Sequence, residues 1–378
     1  MAMTPDFSLD NVCREVAEAT RLEEGPPGVE ALLRVVHREG PISPKEVARS
    51  LGVAIPIVSA IRRELERRGW LVRKGGMLLS NEGLPAASAR WGAPASPCQE
   101  VPAQTIPPDE EAEGLGSEEE VEDESSPDLD YIPLKLSAES GNSASDPFLE
   151  LLDEILEERP EADPRLDQSH ATLETVLRRA ELFLEHGWVT GKRVLFLGDD
   201  DLTSLVTLLV IRRDLGEEAL RGCAAAVAEV DPRLVEFIQE IALGEDLPLA
   251  VVPTDLREPL PKPLTGAFDF FFTDPPYTPA GVRLFLERGC LALDPNGARK
   301  AALAVPVSPP SLQRATQEAL LDLGFVVDFL DPGFNEYLGA SMQGGVSALY
   351  GLSLVATEAG ERTKFETSIY TAQARKRR

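Results

Sequence analysis

Four apolar runs of the chain end, one after another, in acidic residues. Val194-Leu195-Phe196-Leu197-Gly198 runs into Asp199-Asp200-Asp201, and Cys223–Val230 carries Glu229 at its end with Asp231 beyond. Leu249–Pro253 leads to Asp255, and Phe268–Thr273 runs into Asp274-Pro275-Pro276-Tyr277. In an open α/β sheet, ligands bind beyond the carboxyl ends of the strands, so these acids fall where a ligand would sit. A phosphate-binding turn would place further glycines after Gly198, so that backbone amides could cradle an anion. Three carboxylates there repel phosphate and attract a cation. An acid closing the second strand is placed to hydrogen-bond ribose hydroxyls, and one after the third can accept from an adenine amino group. Asp is common in turns and caps, so any one of these alone is weak. Four in succession point to an adenosine-bearing ligand.

The Asp274–Tyr277 turn adds the acceptor. Two prolines stiffen the backbone, which fixes the Asp274 carboxylate, the adjacent carbonyls and the Tyr277 ring. Carboxylate and carbonyl can orient the N–H groups of an amine, while the ring face receives positive charge growing on nitrogen. The plainer alternative is a rigid turn with a packed tyrosine. The motif specifies transfer to nitrogen without specifying the group transferred. A methyltransferase acting on amino groups of DNA bases uses S-adenosylmethionine on the same turn, and would have to extrude its target base. The α-carboxylate of that donor is opposed by the three aspartates. Decarboxylated S-adenosylmethionine lacks the carboxylate and keeps a sulfonium and a primary ammonium, and as co-substrate it suits the turn.

The 378 residues carry a net charge of −27, which argues against a dedicated nucleic-acid binder, normally basic. Cys13, Cys98, Cys223 and Cys290 form no CxxC pair, and His37, His170 and His186 show no metal-like spacing, so no metal is expected. With no signal peptide and no membrane-spanning run, a cytoplasmic protein is expected. Few Asn and Gln beside many Arg, Glu and Pro fit a thermophilic source.

The positioning elements follow in order. Residues 1–26 read as a frayed or short helical lead-in. Ser43-Pro44-Lys45-Glu46 is a capping box that starts a helix closed by Gly52, and a second helix from about Ala54 ends at Gly69. Trp70-Leu71-Val72 and Met77-Leu78-Leu79 read as a small hairpin, so residues 1–90 resemble a winged helix-turn-helix. Its Arg62, Arg63, Arg67, Arg68, Arg73 and Lys74 suit nucleic-acid contact. A repurposed dimerisation or covering module is the favoured alternative. Pro and Ala become frequent from residue 85, and 91–145 form an acidic linker with no apolar period, hence disordered. Asp146-Pro147 restarts order with a helix, and strands then alternate with helices through residues 146–378. The strands run to Ala301–Val307, Phe325–Leu330 and Val346–Val355. The fold class is α/β: a seven-stranded doubly wound, methyltransferase-like (Rossmann-like) domain preceded by the small winged-helix unit. The last residues, 374–378, form a basic tail.

With Gly198-Asp199-Asp200-Asp201 and Asp274-Pro275-Pro276-Tyr277-Thr278 in one chain, the sequence resembles the branched-chain polyamine synthases, which are N(4)-bis(aminopropyl)spermidine synthases. Leu166-Asp167-Gln168, Val230-Asp231, Asp255-Leu256-Arg257, Arg288-Gly289 and Phe334-Asn335-Glu336-Tyr337 share in the resemblance, over about residues 27–90 and 146–356. It implies transfer of two aminopropyl groups from decarboxylated S-adenosylmethionine to the central secondary nitrogen of spermidine, with methylthioadenosine released each time. Glu229 stands where the family would lead one to expect Asp, and the acidic linker is unusually long. On this basis Asp200 or Asp274 is the expected base, with Tyr277 and the Pro275 carbonyl orienting the amine. Asp199 or Asp201 is expected to hold the donor's ammonium and Glu229 its ribose, with Gly198, Asp231 and Asp255 completing the donor site. Asp167, Gln168, Pro276 and Glu336 fall to the polyamine. Neither nucleic acid nor membrane is a required partner, and a homodimer is expected.

Overall fold

The structure is a computed structural model that describes residues 8–92, 146–307, 309–338, 345–355 and 369–370. The acidic part of the expected linker and the basic tail lie outside the described residues. No helix among the described residues is long and apolar enough to cross a membrane.

The N-terminal unit comprises α1 (Leu9–Thr20), α2 (Gly25–Glu39), α3 (Pro44–Leu51), α4 (Ile55–Arg67), the hairpin β1 (Leu71–Arg73) and β2 (Met77–Leu79), and α5 (Gly83–Trp91). Ser43 and Glu46 form the capping box at the start of α3, and Gly52 closes it in the left-handed region that glycine tolerates. Leu32, Leu33, Val47, Val58 and Leu65 are buried in a core of its own. The rise in Pro and Ala at residue 85 falls inside α5, whose Ala87 is buried in that core. The basic residues expected to face nucleic acid are largely taken up by acids of the same unit. Arg67 and Arg68 pair with Glu64, and Arg73 and Arg62 with Glu66.

The second unit opens with α6 (Pro147–Glu158), capped by the Asp146 carboxylate on the Phe148 amide at 3.0 Å, and α7 (Leu173–Glu185). Then follow β3 (Arg193–Leu197), α8 (Thr203–Arg221), β4 (Ala224–Glu229), α9 (Pro232–Gly244), β5 (Leu249–Pro253), β6 (Phe270–Thr273), α10 (Pro279–Ala292), β7 (Lys300–Val305), α11 (Pro310–Leu323), β8 (Phe325–Glu336) and β9 (Val346–Leu354). Among the described residues they build a seven-stranded sheet of order β5-β4-β3-β6-β7-β9-β8, parallel from β5 to β7, with β9 antiparallel to both its neighbours. The fold is the expected doubly wound α/β one. The order turns back at β3, which pairs with β4 on one side and β6 on the other, and a crevice opens at the carboxyl ends there.

Apolar packing fixes the two strands that frame this crevice. Phe270, Phe271 and Phe272 of β6 are all buried, each contributing about 1.5–3 kcal/mol. A Cβ at Gly289 of α10 would come 2.2 Å from Phe271 Cζ, so glycine is what allows α10 to lie on β6. β8 runs past the expected end at Leu330 to Glu336, because register shifts between Asp331 and Asn335 absorb Pro332 and Gly333. That extension carries Asn335 and Tyr337 back to the carboxyl end of the sheet.

Candidate active site

A cleft of about 560 Å³, open to solvent, lies at the switch point. Gly198, Asp200, Glu229, Asp255, Asp274 and Pro276 line it from the ends of β3, β4, β5 and β6. Asp167 and Gln168 line it from the segment before α7. Thr254, Phe285 and Tyr370, which carried no expectation, complete much of the wall. Asp167 (φ 58°), which lines the cleft, and Leu202 (φ 59°), which ends the turn after β3, hold left-handed backbone.

The three aspartates after Gly198 do different things. Asp199 is buried and turned into the start of α8, where it accepts from the Ser204 amide (3.2 Å) and hydroxyl (2.5 Å). Asp201 is also buried and accepts from the Ala171 amide (2.5 Å) and from Arg179 (2.6 Å). Neither lines the cleft, so neither is placed to hold the donor's ammonium; filling the helix-start and arginine positions is what turns them inward. Asp200 is the member that faces the cleft, with the Ser169 amide at 3.0 Å on one oxygen. Burial, then the neighbouring charges of Asp201, Asp274 and Glu229, push its carboxyl well above the usual range.

Asp274 is held more tightly. Tyr277 donates to Oδ1 at 2.9 Å, and Tyr337 (2.6 Å) and Arg179 (2.9 Å) both donate to Oδ2. Burial raises its carboxyl to about 6 despite Arg179 and the tyrosines. Tyr277 itself spends its hydroxyl on Asp274 and lies outside the cleft lining, as does Pro275. Glu229 accepts three backbone amides, those of Asp199 (2.9 Å), Val230 (2.7 Å) and Asp231 (2.8 Å), and burial raises it too. Asp231 caps α9 on the Arg233 amide and meets the Gln168 amide group at 3.3 Å, outside the lining. Asp255 is gripped by Arg257 at 2.6–3.1 Å while still lining the cleft. Glu336 does not reach the cleft: its carboxylate points to Arg49 of the N-terminal unit at 3.4 Å.

Arg179 is the residue that sequence reasoning misses, and Tyr337 enters there only within the resemblance, without a role. Arg179 is fully buried on α7 and also donates to Asn335 (2.7 Å) and Thr203 (3.3 Å). A signal existed: Val176, Arg179, Ala180 and Phe183 share one face of an otherwise apolar helical stripe.

Fold and cleft together define a transferase of the methyltransferase-like α/β class, with an acid-lined cleft at the carboxyl ends of its strands. A family model described as the branched-chain polyamine synthase A C-terminal domain matches residues 148–372. A Methanocaldococcus jannaschii protein described as uncharacterized is 34% identical over 348 residues, covering 89% of this chain and 75% of that one. The N(4)-bis(aminopropyl)spermidine synthase of Thermus thermophilus is 40% identical over 183 residues, 48% of this chain and about half of that enzyme. The crystal structure of the Thermus thermophilus branched-chain polyamine synthase, in complex with N4-aminopropylspermidine and 5'-methylthioadenosine, matches with a TM-score of 0.66 at 26% identity, covering 96% of both chains. The chain belongs to the branched-chain polyamine synthase family.

Proposed function

We propose that the protein transfers aminopropyl groups from decarboxylated S-adenosylmethionine to the central secondary nitrogen of spermidine, giving N(4)-aminopropylspermidine and then the quaternary N(4)-bis(aminopropyl)spermidine. The observation that carries this reading is the lining of the cleft, which five carboxylates share: those of Asp167, Asp200, Glu229, Asp255 and Asp274. The donor's ammonium and the polyamine's ammoniums are complementary to that wall, and the α-carboxylate of S-adenosylmethionine is not.

Glu229 serves the ribose hydroxyls and Asp255 the adenine amino group, with Gly198 giving the adenosine close approach to the β3 turn. The amine lone pair attacks the methylene bound to the sulfonium. The carbon–sulfur bond breaks, its electron pair returns to sulfur, and neutral methylthioadenosine leaves. Positioning supplies most of the acceleration in such an in-line displacement. The remaining obstacle is the amine's own proton, since polyamine nitrogens are largely protonated at neutral pH. Asp200 is the base: it faces the cleft, and unlike Asp274 its carboxylate accepts from a backbone amide and not from an arginine. Asp274, fixed by Tyr277, Tyr337 and Arg179, orients the amine. Asp167 and Gln168 hold the distal polyamine. In the second transfer the tertiary amine loses its proton to Asp200 before attack, and the product keeps a permanent charge.

The same proposal takes residues 1–90 as a winged-helix-like unit, 91–145 as a linker and 146–378 as the catalytic domain of a cytoplasmic homodimer. Purified protein incubated with spermidine and decarboxylated S-adenosylmethionine should yield polyamine heavier by one and two aminopropyl units. Methylated DNA bases from S-adenosylmethionine, with spermidine unaltered, would instead support the base-methylating alternative.

A further inference from the structure

The proposed chemistry uses Arg179 only to fix Asp274, although its bonds reach further. Arg179 enters from α7 and its five N–H groups find five acceptors: Asn335 Oδ1 (2.7 Å), Asp201 Oδ2 (2.6 Å), Thr203 Oγ1 (3.3 Å), Asp274 Oδ2 (2.9 Å) and Tyr337 Oη (3.2 Å). Its guanidinium carbon lies 4.9 Å from the centre of the Phe272 ring. A fully buried arginine thus ties the turn after β3, the turn after β6 and the far end of β8 to one helix. It pairs with Asp201 and Asp274 and makes no bond to Asp200, the aspartate of the turn after β3 that faces the cleft.

We propose that Arg179 is a positioning residue that decides which acid accepts the substrate's proton: by holding Asp201 and Asp274 as its own partners, it leaves Asp200 to the amine. The inference rests on the aminopropyl-transfer reading above. Electrostatics agree with the geometry. Arg179 is the largest influence holding Asp274 down against burial, while Asp200 has burial and the charges of Asp201, Asp274 and Glu229 all acting to keep its proton. Asp199 and Glu229 stand at the ends of β3 and β4, where burial favours the neutral form of each, and Arg159 brings positive charge to Asp201 and Asp200. His170 stands beside Asp201, and the Tyr277 and Tyr337 hydroxyls face Asp274. With Arg179 in place, the unit of Arg179, Asp201 and Asp274 carries a single net negative charge. Without it the unit carries two, and Asp200 gives up its proton at higher pH.

The experiment uses the full chain with decarboxylated S-adenosylmethionine and spermidine, and follows kcat/KM against pH for wild type, Arg179→Gln and Arg179→Gln/Asp274→Asn. Arg179→Gln should move the acid limb alkaline by about one pH unit or more. Its kcat should fall about tenfold or more while the KM for the donor stays within about threefold. The double variant restores the net charge and should bring the limb back to the wild-type position, which loss of a merely structural strut would not do. If Arg179→Gln does not fold, the double variant must fold with a wild-type limb, and a double variant that fails as well overturns the proposal. An unmoved limb in Arg179→Gln, or one that the double variant leaves displaced, overturns it too. Absence of transfer by the wild type would count instead against the proposed function.

Discussion

Replacing Asp274 by Asn should make the protein more stable above pH 6 and have little effect on its stability near pH 4. Burial raises the Asp274 carboxyl to about 6 in the folded protein, against about 4 for an unfolded chain. Between those values the folded state keeps a proton that the unfolded state has lost, so wild-type stability falls as pH rises through the window and levels off above it. Two units at about 1.4 kcal/mol each make about 3 kcal/mol, which is the upper bound for the penalty of holding this carboxylate charged. Asn carries no such charge. Its oxygen can take the place of Oδ2, accepting from Tyr337 and Arg179, and its amide nitrogen can donate to the Tyr277 hydroxyl, which now accepts. Thermal unfolding of wild type and Asp274→Asn at half-unit steps from pH 4 to 8 reads the difference directly. A domain of this size gains about 2–4 °C per kcal/mol, so the gap should open by several degrees between pH 4 and pH 6 and stay open. A gap that is the same at every pH, or that favours the wild type more as pH rises, would refute the reasoning.

Other variants separate the donor site from the fold. Glu229→Gln would turn an amide N–H toward one of the three backbone amides that Glu229 accepts, and should weaken methylthioadenosine binding about tenfold by titration calorimetry. Asp200→Asn should bind methylthioadenosine as the wild type does yet lose about a hundredfold or more in kcat, as measured by product mass. Gly289→Ala would drive a Cβ into the Phe271 ring and should cost at least about 2 kcal/mol, read from the urea midpoint.

How much of this was legible in the sequence depends on how local each feature is. β3 with its glycine and the Asp274 turn were readable because an apolar run and the residues after it are contiguous. So were the capping box at α3 and the Asp146 cap of α6. Arg179 was not, since its partners Asp201, Asp274, Asn335 and Tyr337 lie 22, 95, 156 and 158 residues away. An arginine on an apolar helical face can be read as a side chain reaching out to solvent, and nothing nearby in sequence says otherwise. The division of labour among Asp199, Asp200 and Asp201 was hidden for a related reason. Consecutive residues in a tight turn point in different directions, and Ser204 and Arg179 decide which two turn inward. β8 was cut short at Leu330 because Pro332 and Gly333 read as a turn, whereas the strand absorbs them in an irregularity of register.

The selection of a cationic donor by Asp200 and its neighbours is measured by two dissociation constants on one protein, for decarboxylated and for ordinary S-adenosylmethionine. A carboxylate placed about 5 Å from another at an effective dielectric of about 20 costs about 3 kcal/mol, roughly a hundredfold in affinity. Titration calorimetry at a pH above the acid limb, where Asp200 is ionised, should therefore find the decarboxylated donor bound about a hundredfold more tightly, with the preference shrinking in Asp200→Asn. Equal affinities, or tighter binding of S-adenosylmethionine itself, would contradict it.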